Sequence, residues 1–185
     1  MSDPVTKIAT LTPSGTATTS FTSIPSTYDD LVIIGTSKNA YTATASYTLN
    51  RLQLTVNGDT GSNYAWSRIG ARSGELSYGS AEGSATTNSM FVYANSTSHS
   101  SYNNFGWGNF VLYFSGYKVT NAMKKMQVTH GYGNTAGESH MSGTGQGTWA
   151  SNAAITSITL QSGNGNSDRY YVAGTTMTLY GISNS

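Results

Sequence analysis

The sequence predicts an all-β domain, an antiparallel β-sandwich of about eight to ten short strands, and three observations predict it. Apolar residues recur with period two in short runs separated by Gly, Asn and Ser, and helical periodicity is absent. Ser (27), Thr (27), Gly (21) and Asn (15) make up about half of the 185 residues, and short hydroxyl or amide side chains favour strands and tight turns over helices. Thirteen Tyr, five Phe and three Trp are spread along the chain, whereas disordered chains are poor in aromatics.

The elements follow in order. Residues 1–7 are too polar to join a core and read as an N-terminal arm, with residues 8–185 forming one β-sandwich domain, a size that buries a real core without staples. Strands are expected at 7–12, 20–24 and 31–36. In the run 49–56, Leu52, Leu54 and Val56 share one face and Arg51, Gln53 and Thr55 the other. Further strands are expected at 64–70 and 89–93. The pairs and triplets Phe110/Leu112/Phe114, Met126/Val128/His130, Ile158/Leu160 and Met177/Leu179 complete the set. The expected core is Leu31, Ile33, Leu52, Leu54, Val56, Phe110, Leu112, Val128, Ile158, Leu160, Met177 and Leu179. Residues 73–88, 95–104 and 134–148, rich in Gly, Ser and Asn, read as long loops, where binding usually resides.

Composition also excludes function classes. Charged residues make up 9% of the chain and the net charge is +1, which argues against nucleic acid as a partner because phosphate backbones need clustered Lys and Arg. Without cysteine there is no disulfide and no thiolate metal site. No stretch approaches the roughly 18 apolar residues of a membrane span, and the start lacks a signal-like basic and apolar pattern. The reading is of a protein with no membrane partner.

Several motifs invite a catalytic reading. Asp59-Thr60-Gly61-Ser62 matches the active-site tetrapeptide of aspartic peptidases. That chemistry needs two carboxylates sharing a proton, so one motif would require a dimer. Gly58 stands where that family has an apolar residue, and Val32-Ile33-Ile34-Gly35 precedes the motif rather than following it. Asn57-Gly58-Asp59 reads more simply as a hairpin turn. His99, His130 and His140 lack metal-ligand spacing, although Glu138 lies near His140. Gly143-Thr144-Gly145-Gln146-Gly147 lacks the lysine of a phosphate loop, so its glycines read as turn-formers. The acidic residues, Asp3, Asp29, Asp30, Asp59, Glu75, Glu82, Glu138 and Asp168, show no spacing that places a glycosidase pair. The reading assigns no catalytic, cofactor-binding or metal residue. Tyr41, Tyr47, Tyr78, Tyr102 and Trp107, set among Gly, Ser and Asn, are the candidates for stacking on sugars.

Four segments carry a resemblance. They are Phe21-Thr22-Ser23-Ile24-Pro25-Ser26-Thr27-Tyr28-Asp29-Asp30-Leu31, Asn57-Gly58-Asp59-Thr60-Gly61-Ser62-Asn63-Tyr64, Ala154-Ile155-Thr156-Ser157-Ile158-Thr159-Leu160 and Leu179-Tyr180-Gly181-Ile182. In that order they resemble virion surface proteins of tailed bacteriophages, a group of head decoration (cement) proteins, head fibres and tail-fibre modules. The resemblance spans residues 21–182, except that 71–148 carries no recognised motif. It implies a jelly-roll-like sandwich, assembly as a homotrimer, and a structural rather than enzymatic role on the virion. Lacking a shaft, the chain is expected to be a capsid decoration protein whose partners are the major capsid protein and its own copies, with the arm 1–7 as first capsid contact. The alternative is a receptor-binding head-fibre or tail-fibre module that recognises host-surface glycans. An aspartic peptidase or a polysaccharide-degrading enzyme is the third possibility and predicts loss of activity on Asp59→Asn.

Overall fold

The structure is a computed structural model that describes residues 4–41, 50–72, 80–98, 106–133, 140–163 and 169–184. Among these residues the regular structure is thirteen strands and no helix: β1 (Val5–Leu11), β2 (Thr18–Phe21), β3 (Asp30–Tyr41), β4 (Asn50–Val56), β5 (Tyr64–Arg72), β6 (Ser80–Thr87), β7 (Met90–Ser98), β8 (Gly108–Ser115), β9 (Lys124–Gly133), β10 (His140–Trp149), β11 (Ile158–Ser162), β12 (Arg169–Tyr171) and β13 (Thr176–Ile182). No helix among them is long and apolar enough to cross a membrane.

The strands form a jelly-roll-like sandwich. A large sheet runs β1-β13-β3-β8-β9-β10-β5-β6, antiparallel throughout. A small antiparallel sheet runs β2-β11-β4-β7. The long strand β3 joins them: beyond Ser37 it leaves β8, pairs with β12 at Asn39–Tyr41, and runs parallel to β7 at Lys38–Ala40.

Period-two patterning produces this arrangement, because alternate side chains point to opposite faces and only one face of each sheet is covered. In β8 the burial alternates without a break, with Phe110, Leu112 and Phe114 inward and Asn109, Val111 and Ser115 outward. All twelve residues expected in the core are buried, none more than 4% exposed, and Phe21, Ile24, Met90, Met126, Trp149 and Tyr171 join them.

Four expectations are corrected. The strands among the described residues number thirteen, above the eight to ten expected, because β6 and β10 are rich in Gly, Ser and Thr without apolar alternation and β12 is only three residues long. Residues 5–7, expected in the arm, belong to the sheet: Val5, Thr6 and Lys7 pair with Ile182, Gly181 and Tyr180, in a strand whose Ile8, Ala9 and Leu11 pack against the core. The stretch 20–24 ends as a strand at Phe21, and Ser23 takes a left-handed backbone (φ 54°). The glycines 143, 145 and 147 are strand residues of β10 rather than turn-formers. They face inward, where neighbours already fill the volume. A β-carbon on Gly147 would collide with Met90 Sδ, and one on Gly143 would lie 2.7 Å from the Ile69 carbonyl oxygen and 2.9 Å from His130 Nε2. Glycine here marks a close approach, not a chain reversal.

Candidate functional site

One end of the sandwich collects the residues singled out in the sequence. After Val56 the chain turns through Asn57 (φ 52°) and Gly58 (φ 69°), closed by a hydrogen bond from Asp59 N to the Val56 carbonyl at 2.9 Å. Two successive left-handed residues define a type I′ turn, which is why Asn-Gly occupies it. It is not the hairpin expected, because β4 pairs with β7 and β11 whereas β5 pairs with β6 and β10. The turn instead carries the chain from the small sheet to the large one.

The side chains of this turn bind their own protein. Asn57 Oδ1 accepts from Thr156 N (2.8 Å), Ser157 N (3.0 Å) and Thr156 Oγ1 (3.2 Å), while its Nδ2 donates to the Ala154 carbonyl (2.7 Å). Asp59 Oδ1 accepts from Gly61 N at 2.8 Å, and its Oδ2 accepts from Trp149 Nε1 at 2.7 Å and Asn63 Nδ2 at 2.9 Å. The indole of Trp149 and the Asn63 amide hold the carboxyl below its ordinary range, outweighing the opposing effect of burial. Tyr64 closes the unit: its hydroxyl donates to the Asp59 carbonyl (2.8 Å) and accepts from Val56 N (3.0 Å), and burial pushes its pKa up to about 12. A carboxylate held ionised by three donors of its own chain works as a turn clamp, whereas an aspartic dyad needs a second carboxyl beside it to share one proton.

The four segments that carry the resemblance meet here. Phe21 pairs with Ile158 across the β2–β11 ladder, Ile24 N donates to the Thr156 carbonyl at 3.0 Å, and Asp29 N donates to the Ile182 carbonyl at 2.8 Å. The Tyr28 ring lies directly over Gly181, where no β-carbon would fit.

Other staples at this end were missed. The Lys124 ammonium, buried, donates to the carbonyls of Val119, Ala122 (2.8 Å) and Asn152 (3.3 Å), and burial lowers its pKa. Its signal was present: Lys124 is in phase with Met126, Val128 and His130, the buried side of β9. Tyr117, fully buried, donates to the Pro25 carbonyl. Asp30 accepts from Tyr113 Oη (2.6 Å), Gly116 N (2.8 Å) and Asn184 Nδ2 (3.2 Å). Burial pushes the Asp30 carboxyl up, but these donors together outweigh it and hold it below the ordinary range. Asp29 accepts from Asn184 N (2.7 Å) and pairs with Lys118 (3.0 Å).

The remaining candidates disperse. His130 is buried in β9, and desolvation, helped by the nearby Arg68 charge, lowers its pKa to about 4. His99, Glu138, Tyr47, Tyr78 and Tyr102 lie outside the described residues, as do the side chains of His140 and Tyr41. Trp107 is 42% exposed and sits against Gly174. Among the described residues no three His, Asp or Glu side chains gather as a metal site.

The side chains left facing outward define a second surface. Across six neighbouring strands of the large sheet, from β13 to β5, the register aligns Thr178, Ile34, Val111, Thr129, Thr144 and Ile69 in one row. Every residue in it is β-branched, and Thr10 of β1 extends it through a 3.1 Å hydroxyl contact with Thr178. Ile34, Val111 and Ile69 are 51%, 42% and 64% exposed. The flanking rows, Tyr180-Val32-Tyr113-Gln127-Gln146-Ser67 and Thr176-Thr36-Asn109-Gly131-Ser142-Ala71, carry no charge either. No protein-family model, curated protein or solved structure matches the chain.

Proposed function

We propose that the protein is a capsid decoration (cement) protein of a tailed bacteriophage, a non-enzymatic structural protein that binds the major capsid protein on the outside of the head as a homotrimer. The observation that carries this reading is the ordered set of four segments resembling phage virion surface proteins, which in this chain are knit into a single hydrogen-bonded end of the sandwich. The titratable groups of the Asp59 turn, the natural candidates for chemistry, serve as staples there. Surface complementarity is then the resource that remains, and a closed trimer multiplies weak contacts through effective concentration.

Electron microscopy of virions assembled with and without the protein tests the reading. Extra density on the outer capsid surface, present only with the protein, is the expected result. Labelling confined to the tail would overturn it in favour of a receptor-binding module, the reading that the exposed Trp107 favours. In that case a glycan array should show binding that Trp107→Ala removes.

A further inference from the structure

We propose that the outward face of the large sheet is a self-association surface, turned in solution toward the rotation axis around which the copies of this chain meet. It rests on the reading of the protein as a homotrimer and names the face through which the copies meet.

Three observations point to this face and this occupant. First, Ile34, Val111 and Ile69 stand exposed on it, while the described outward side chains of the small sheet, Ser20, Gln53, Thr55, Thr159 and Gln161, are all hydroxyls and amides. Among the described side chains, the exposed large apolar ones on an outer sheet face therefore belong to the large sheet. Second, the face is uncharged over three rows and six strands, with Lys7 at the β1 margin, Lys125 and the Asp30 carboxylate that Tyr113 bonds one row beyond on one side, and Lys38 one row beyond on the other. A group near a rotation axis meets its own copies, so a charge there repels itself, whereas surfaces that meet a different protein use complementary charge for steering and register. An uncharged centre with charges at the margin suits a symmetric assembly. Third, the size is adequate. Six strands at about 4.8 Å and three rows about 7 Å apart give roughly 600 Å² of flat area, comparable to the roughly 800 Å² that each partner contributes to a standard stable interface. The β-branched side chains are also stiff at χ1, so immobilising them costs little entropy.

Sedimentation velocity on the purified full-length protein over a range of concentrations tests this, comparing wild type with Ile34→Lys/Val111→Lys and Ile34→Thr/Val111→Thr. The wild type should sediment as an oligomer. The Lys pair should weaken association at least about 100-fold, to monomer, with an unchanged far-UV circular dichroism spectrum, because it sets like charges against each other. The Thr pair, which copies the chemistry of the small sheet, should weaken association less. Ile69→Lys, on the far side of the face, gives the same readout independently if the Lys pair fails to fold. A trimer unaffected by the Lys substitutions overturns this assignment and leaves the trimer reading standing. A monomeric wild type overturns both. A wild-type dimer that the Lys pair dissociates supports the face and overturns the trimer. Intact oligomers that no longer bind capsids would mean the face belongs to the capsid contact, which also overturns the assignment.

Discussion

The stapled end of the sandwich and the outward face of the large sheet share Thr, Ser, Asn and Tyr, and use them in different ways. At the end, Asn57, Asp59 and Tyr64 bind backbone groups of their own chain or an indole that packs beside them. On the face, Thr129 and Gln146 project into solvent. The difference lies in the backbone. Within a sheet, ladder bonds satisfy nearly every N–H and C=O, leaving side chains for other partners, whereas a loop has no ladder and recruits side chains to the task. One composition therefore yields a rigid anchor in one region and an uncommitted surface in the other.

If that contrast holds, substitutions should sort by region. The core sets the upper scale: Leu54→Ala, at a position with no exposure, should cost about 2–5 kcal/mol in urea denaturation. Acid titration comes next. His130 takes a proton in the unfolded chain near pH 6.5 but resists it to about pH 4 when folded. Its contribution is thus fully present above pH 6.5 and lost as pH falls from there towards 4, by on the order of 3 kcal/mol. Replacing it with Gln should flatten stability across that window. Asp59 acts lower: its folded pKa is depressed, so its contribution is present above the unfolded value near 4 and lost as pH falls through the folded one. An acid transition that is unchanged in both His130→Gln and Asp59→Asn would remove both groups from the explanation.

At the stapled end, Asn57→Ala should cost about 3 kcal/mol, because it removes the acceptor of the Thr156 and Ser157 amides and the donor to the Ala154 carbonyl, and puts Ala where the left-handed backbone suits Asn or Gly better. Asn57→Gly relieves the backbone strain and should cost less, about 2 kcal/mol. Equal losses would show that the side-chain bonds, not the turn geometry, hold the corner. Losses below about 0.5 kcal/mol in both would remove the distinction between the two regions.

The fold class and core were legible because period-two patterning is a direct imprint of burial on one face: Leu52, Leu54 and Val56 in β4 read the same in sequence and structure. What was not legible was β10. Its inward positions hold Gly143, Gly145 and Gly147, and an apolar signal cannot arise where the space is filled from Met90 and His130 on other strands. The hairpin reading of Asn57-Gly58 failed for a related reason. A type I′ turn is written in two residues, but whether the strands it joins pair with each other depends on partners a hundred residues away, such as β11 beside β4. The outward row was invisible as a unit because its members come from six strands and meet only through register.

The smallest effect should fall on that row, which makes it the most exacting part of the contrast. Thr129 and Thr144 pair across β9 and β10 and are exposed. Replacing either with Ala removes a hydroxyl and a methyl group and lowers strand propensity slightly. Thr144 Oγ1 also donates to the Val128 carbonyl at 3.0 Å, a bond that Thr144→Ala would remove. In dilute protein, where copies are apart, Thr129→Ala should therefore change stability by no more than about 0.5 kcal/mol, and Thr144→Ala by slightly more. At high concentration both costs should grow, because a surface that stabilises only when covered contributes in proportion to association. Thermal melts of each variant across a hundredfold concentration range measure this. A cost above about 1 kcal/mol for Thr129→Ala that did not vary with concentration would mean the row is part of what folds the monomer, and the division between anchored end and uncommitted face would be withdrawn.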